Sequence, residues 1–151
     1  HNCPRLEWHY IGRIQSNKTK FIAEYFDWAQ TVSRFDTAKR LNQARSHFAL
    51  PPLNICIQIN DAQKPTQSGI TLKQLPELIK ALLECPHLKL RGLMTMVEED
   101  YEKTAKAFYD LQKQGYDVDT LSMGMSQDYP VAIEKGANMI RIGTLLFGER
   151  K

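Results

Sequence analysis

Short apolar, β-branched segments alternate with helix-patterned ones along this whole chain, and that alternation limits the fold more than any other feature. "EWHYIG" (Glu7 to Gly12) precedes "QSNKTKFIAEYF", where Phe21, Ile22, Tyr25 and Phe26 fall at helical spacing and Ser16 or Asn17 is placed to cap. "WAQTVS" is a weaker strand candidate, followed by the helical "DTAKRLNQARSHF". "LNICIQIN" is the clearest strand, with Ile55, Ile57 and Ile59 on one face and Cys56, Gln58 and Asn60 on the other. Next come the helix "TLKQLPELIKALLE", with a capping box at Thr71 and Gln74, and the strand "LKLRGLMTM". The helix "EEDYEKTAKAFYDLQKQG" is closed by Gly115, and "VDTLSMGM", "DYPVAIEKG" and "ANMIRIG" complete the series. Six β-then-α units predict parallel strands joined by crossover helices, as a (β/α) barrel or a doubly wound sheet.

Two details favour the barrel. Gln58, Asn60, Ser122 and Arg141 are polar residues at alternate positions near strand C-termini, where a barrel places its active face. The first strand also lacks the G-x-G-x-x-G turn of a dinucleotide fold. Six units are two short of eight, so open edges are expected.

With 151 residues and 42% hydrophobic content the chain can bury a core, and one domain spanning 1–151 is expected. The formal charge of +3 is spread over 20 basic and 17 acidic residues without a basic run, which argues against nucleic acid binding. No apolar stretch approaches the roughly 20 residues that span a bilayer, and the N-terminus lacks a signal-peptide pattern. A soluble, cytoplasmic protein with no membrane association is the expectation. Cys3, Cys56 and Cys85 have no metal-ligand spacing and read as reduced structural residues.

The last two units carry the most informative chemistry. "SMGMS" (Ser122 to Ser126) ends one strand and "RIGT" (Arg141 to Thr144) ends the next. Each brings a glycine that admits a ligand close to the backbone and a hydroxyl that can bond a phosphate oxygen; the alternative is that Ser126 and Thr144 merely cap helices. Arg141 lies opposite Ile140 and Ile142 on its strand, so it points into the barrel mouth or sits in a buried ion pair. "IGRIQSNK" reads as a helix cap before an anion site, and His9 as a packing residue. Gln58 and Asn60 can bond a ligand or each other. "VEEDYEKTAKA" reads as a solvated helix face, and Met94, Met96, Met123, Met125 and Met139 as core filler.

Taken in order, "EWHYIGRIQSNK", "LNICIQIN", "SGI", "LRGLMTM", "DTLSMGMS" and "MIRIGTLLFG" resemble the YggS/PROSC family of pyridoxal phosphate homeostasis proteins over nearly the whole chain. The resemblance implies a (β/α)8 TIM barrel like the N-terminal domain of alanine racemase, here lacking its first two strands. It also implies pyridoxal 5′-phosphate (PLP) held through a lysine Schiff base, with no established catalytic turnover. Carried over by position, Met125, Ser126, Gly143 and Thr144 should hold the phosphate, and Arg141 should face the pyridine nitrogen.

That placement opposes protonation of the ring and weakens it as an electron sink. The family's PLP lysine would lie before His1, and Lys18 and Lys20 do not replace it. At "MTMVEED" the family runs several residues longer, and Gln67 stands where it often has a lysine before "SG". The implied role is PLP carriage, with PLP-dependent apo-enzymes as partners, no metal, and a monomeric state. The alternatives are a PLP-dependent racemase or decarboxylase of the same fold, and a phosphate-binding module without PLP.

Overall fold

Six strands form one sheet in the order β1-β2-β3-β4-β5-β6, every neighbouring pair parallel, in a computed structural model that describes residues 6–151. The strands are β1 (His9–Tyr10), β2 (Trp28–Val32), β3 (Leu53–Ile59), β4 (Leu88–Thr95), β5 (Thr120–Met125) and β6 (Met139–Arg141). Between and after them run α1 (Thr19–Tyr25), α2 (Phe35–His47), α3 (Leu75–Leu83), α4 (Tyr101–Lys113), α5 (Tyr129–Glu134) and α6 (Thr144–Phe147). The six expected units are all present. Cys3 lies outside the described residues, while Cys56 and Cys85 are free and buried.

The sheet curls as a barrel wall does. Neighbouring strands lie about 4.8 Å apart, so in a flat sheet β2 and β6, four spacings apart, would be about 19 Å from each other. Instead the Gln30 amide on β2 lies 3.3 Å from Met139 Sδ on β6, which only strong curvature allows. The fold is therefore a partial (β/α) barrel rather than a doubly wound sheet.

Each face of the wall has its own composition. Ile55, Ile57, Ile59, Leu93, Leu121 and Met123 face the helices and are fully buried in the main core. Trp28, Cys56 and Met94 form a smaller cluster, with Met96 and Met139 against it. The β3 alternation thus divides its residues as the sequence predicts. Within "WAQTVS", Trp28–Val32 is a fully buried strand paired on both sides, as parallel strands covered on both faces tend to be.

The helices follow their apolar spacing. In α3, Leu75, Leu78, Ile79 and Leu82 are buried, and the Gln74 side chain accepts the Thr71 N–H at 3.0 Å, completing the expected capping box. Gly115 ends α4 with φ at +92°, where the Tyr116 N–H reaches the Leu111 carbonyl.

Two expectations are corrected. Neither Ser16 nor Asn17 caps α1 with its side chain; a 3₁₀ turn over Ser16–Lys18 leads in, and the Thr19 hydroxyl donates to the Ser16 carbonyl. "VEEDYEKTAKA" is not simply a solvated face, because Asp100 and Tyr101 are buried. Both Asp100 carboxylate oxygens accept the Ala62 N–H, tying the β3–α3 loop to the start of α4.

Arg45 of α2 is a buried cation, and its guanidinium donates to the carbonyls of Pro51, Ala23 and Phe26, each at 2.7 Å. Burial pulls its pKa below the ordinary arginine value. Replacing it strips three carbonyls of a shared donor, so Arg45→Met is expected to destabilise the fold by about 2–4 kcal/mol in urea unfolding. Arg45→Lys should recover only part, since an ammonium cannot reproduce the fork.

Candidate functional site

The register of β5 and β6 sets the site. Met125 pairs with Arg141, so the two strands end side by side and their following loops converge. Met125, Ser126, Arg141, Gly143 and Thr144, the five residues singled out from sequence, all line one open cavity of about 1210 Å³.

Ser126 joins the two loops. Its hydroxyl oxygen accepts the N–H groups of Gly143 at 3.3 Å and Leu145 at 3.2 Å. It therefore caps α6, the helix of the following unit, rather than its own α5. The capping alternative is correct in kind but crosses units, and the crossing brings the two loops together. A Cβ built on Gly143 would meet nothing within 4 Å, leaving room against the backbone there. Thr144 starts α6 and is exposed to the cavity; Met125, 41% exposed, stands on the rim and is not core filler.

Arg141 is 8% exposed and, among the described residues, makes no ion pair. Its Nη1 donates to Ser122 Oγ at 2.5 Å and its Nη2 to the Thr95 carbonyl at 3.0 Å. Its Nε is buried with no hydrogen-bond partner. Desolvation lowers its pKa from the ordinary value, and the nearby Tyr101, Cys56 and Asp128 oppose that effect. A guanidinium has no acceptor capacity, so this N–H is a buried donor without an acceptor. Holding a cation in the interior without a carboxylate is costly, and such groups concentrate at functional sites.

Behind the loop stands a support that the sequence did not reveal. The Tyr101 hydroxyl donates to Asp128 Oδ2 at 2.6 Å, while Asp128 Oδ1 accepts the Met125 N–H at 2.8 Å. Burial and then Asp128 push the Tyr101 phenol well above the ordinary value. Tyr101→Phe should leave the fold within about 1–2 kcal/mol of the parent but loosen the 125–128 turn. Hydrogen exchange at the Met125 amide should then accelerate by roughly tenfold.

The other candidates have different duties. Asn60 knots its own loop, donating to the carbonyls of Lys64 and Gln67 and accepting the Lys64 N–H. It bonds neither Gln58 nor the cavity. His9 stacks on Trp28 with ring centroids 4.7 Å apart and also lines the cavity. No lysine lines that cavity, and among the described residues no group of three or more His, Cys, Asp or Glu is placed to hold a metal. No described helix is long and apolar enough to cross a membrane.

Comparison with known proteins places this geometry. The family described as alanine racemase, N-terminal domain, matches residues 2–151. A pyridoxal phosphate homeostasis protein of Escherichia coli (strain K12) is 46% identical, covering 96% of this chain and 65% of the relative. One from Pasteurella multocida (strain Pm70) is 44% identical, covering 99% and 68%. PipY of Synechococcus elongatus PCC7942, solved with PLP bound, superposes with a TM-score of 0.85 at 31% identity, covering 96% of this chain and 72% of PipY. The chain spans about 65% of the length of the first curated relatives it matches. The chain belongs to the alanine racemase N-terminal-domain family and, within it, to the YggS/PROSC group of pyridoxal phosphate homeostasis proteins.

Proposed function

We propose that residues 1–151 form one PLP-binding barrel domain that serves PLP homeostasis, holding the cofactor in the cytoplasm and passing it to PLP-dependent apo-enzymes as a monomer. The observation that carries this reading is the Arg141 Nε–H, buried and unpartnered in a cation that lines the cavity. Membership of a group whose relatives carry the homeostasis name, one of them solved with PLP, supports it.

The residues present fit the group. Arg141 offers a donor to a pyridine nitrogen. The Ser126 hydroxyl, which accepts the Gly143 and Leu145 N–H groups and keeps its own proton to donate, offers a donor to a phosphate, with the open space at Gly143 beside it. When bound, PLP supplies an aldehyde that captures amines and a ring that withdraws electrons. The chain's own contribution is to bind and orient. Arg141 donates to the ring nitrogen and, as a fixed cation, opposes a proton there. A ring kept unprotonated withdraws electrons poorly, so the site is built to retain PLP more than to drive amino-acid chemistry with it.

Equilibrium dialysis with PLP, pyridoxine 5′-phosphate and pyridoxine tests this. Pyridoxine 5′-phosphate lacks the aldehyde and reports the non-covalent site alone. Saturable binding of both phosphate esters, with pyridoxine at least about 30-fold weaker, is expected. Equal affinity for pyridoxine and its phosphate, or no binding of either ester, would overturn the proposal.

A further inference from the structure

A line of polar side chains, buried except for the half-buried His9, crosses the inside of the wall from β1 to β6. Gln30 Nε2 lies 2.9 Å from His9 Nδ1, Ser122 Oγ lies 2.5 Å from Gln30 Oε1, and Arg141 Nη1 lies 2.5 Å from Ser122 Oγ. The Ser122 and Gln30 residues are 0% and 2% exposed.

The polarity of this line follows from its end. Arginine can only donate, so Ser122 Oγ accepts from it and turns its own proton to Gln30 Oε1. The Gln30 amide then presents Nε2 to His9, and His9 Nδ1 must be the acceptor, which requires a neutral ring with its proton on Nε2. A His9 protonated on both nitrogens would set donor against donor. Relief by turning the Gln30 amide would deprive the Ser122 proton of its acceptor.

We propose that Ser122 and Gln30 are positioning residues for the Arg141 guanidinium, and that the order they impose depends on a neutral His9. Ser122 and the Thr95 carbonyl fix the two terminal nitrogens, and so determine the plane and direction of the guanidinium that carries the buried, unpartnered Nε. The importance of this for a ligand rests on the PLP reading above; the ordering of Arg141 itself does not.

The surroundings of His9 agree. Glu7 lies 3.8 Å from Nε2, Trp28 of β2 stacks on the ring, and the charges of Asp27 and of Arg91 from β4 also act on it. Burial, the largest influence, holds its pKa below the ordinary imidazole value, with Arg91 adding to that and Glu7 and Asp27 opposing. The neutral-ring contribution is therefore complete above the ordinary value of about 6.5. It is lost as the pH falls from there through the lower folded value.

The test is nitrogen-15 NMR of the Arg141 side chain in the ligand-free protein, paired with pyridoxine 5′-phosphate titration. Separately resolved Nη protons are expected at pH 8. They should merge in Ser122→Ala and Gln30→Leu, with ligand affinity falling roughly tenfold. In the wild type they should also merge on acidification through the His9 titration. Gln30→Glu keeps an acceptor for Ser122 and also accepts from a protonated His9, so it should preserve them at low pH. If Ser122→Ala does not fold, Ser122→Cys, similar in size but a weak acceptor, takes its place. Unchanged Arg141 signals in folded Ser122 variants, or wild-type signals indifferent to His9 titration, would overturn the proposal. Ordered signals that respond as expected in a protein that binds no phosphorylated pyridine would support the positioning and count against the PLP reading alone.

Discussion

Gly92→Ala is expected to be the most damaging single methyl group that can be added to this chain. A Cβ at Gly92 would stand 1.7 Å from the carbonyl oxygen of Thr120 and 2.7 Å from its carbon. Those atoms are backbone of the strand that Gly92 pairs with, so no side chain can swing away. On its other side Gly92 follows a register break, where β4 carries Arg91 as an extra residue between the partners of Ile55 and Cys56. Opening β4 from β5 would release the strand whose end leads into Ser126. The expected cost is roughly 3–5 kcal/mol, seen as a collapsed urea midpoint or loss of folded protein. Gly115→Ala, at a turn where a Cβ meets nothing within 4 Å, should cost far less.

Arg141→Leu should act the other way round. Leucine removes a buried charge with no carboxylate partner, offsetting the loss of its hydrogen bonds to Ser122 and Thr95, so stability should stay within about 1 kcal/mol of wild type. Affinity for pyridoxine 5′-phosphate should fall by roughly 30-fold or more, since the ring nitrogen loses a charged donor. A purely structural arginine gives the opposite pattern, a large stability loss with binding lost only through unfolding. Arg141→Lys should also bind poorly, because one ammonium cannot hold Ser122 and Thr95 while facing a ring.

What the sequence makes legible here is periodic or contiguous. The Ile55, Ile57 and Ile59 alternation, the α3 stripe and the Thr71–Gln74 box each lie within a few residues, and each is as expected. The convergence of "SMGMS" and "RIGT" was also readable, because consecutive parallel strands end side by side.

The contacts that were hidden join residues far apart in the chain. Ser122 meets Gln30 across 92 positions, and Tyr101 meets Asp128 across 27. Gln30 received no assignment within the weak strand candidate "WAQTVS", since a polar side chain inside a barrel has the local pattern of one facing water. Asp100 and Tyr101, in an acidic helix start, had the same ambiguity. Burial there follows from a carboxylate that accepts the Ala62 amide in a neighbouring loop. The capping alternative for Ser126 pointed to its own helix because sequence reveals adjacency within a unit, whereas the observed cap joins two units.

If Arg141 faces the ring nitrogen, it keeps a proton off the bound ring, and the nitrogen itself reports that state. With PLP labelled with nitrogen-15 in the ring and bound to the protein, the nitrogen should show the shift of an unprotonated pyridine. That signal should hold across the neutral pH range and change in Arg141→Leu. A bound ring carrying a pyridinium signal at neutral pH, or a nitrogen shift unaltered in Arg141→Leu, would mean that Arg141 does not hold the ring unprotonated.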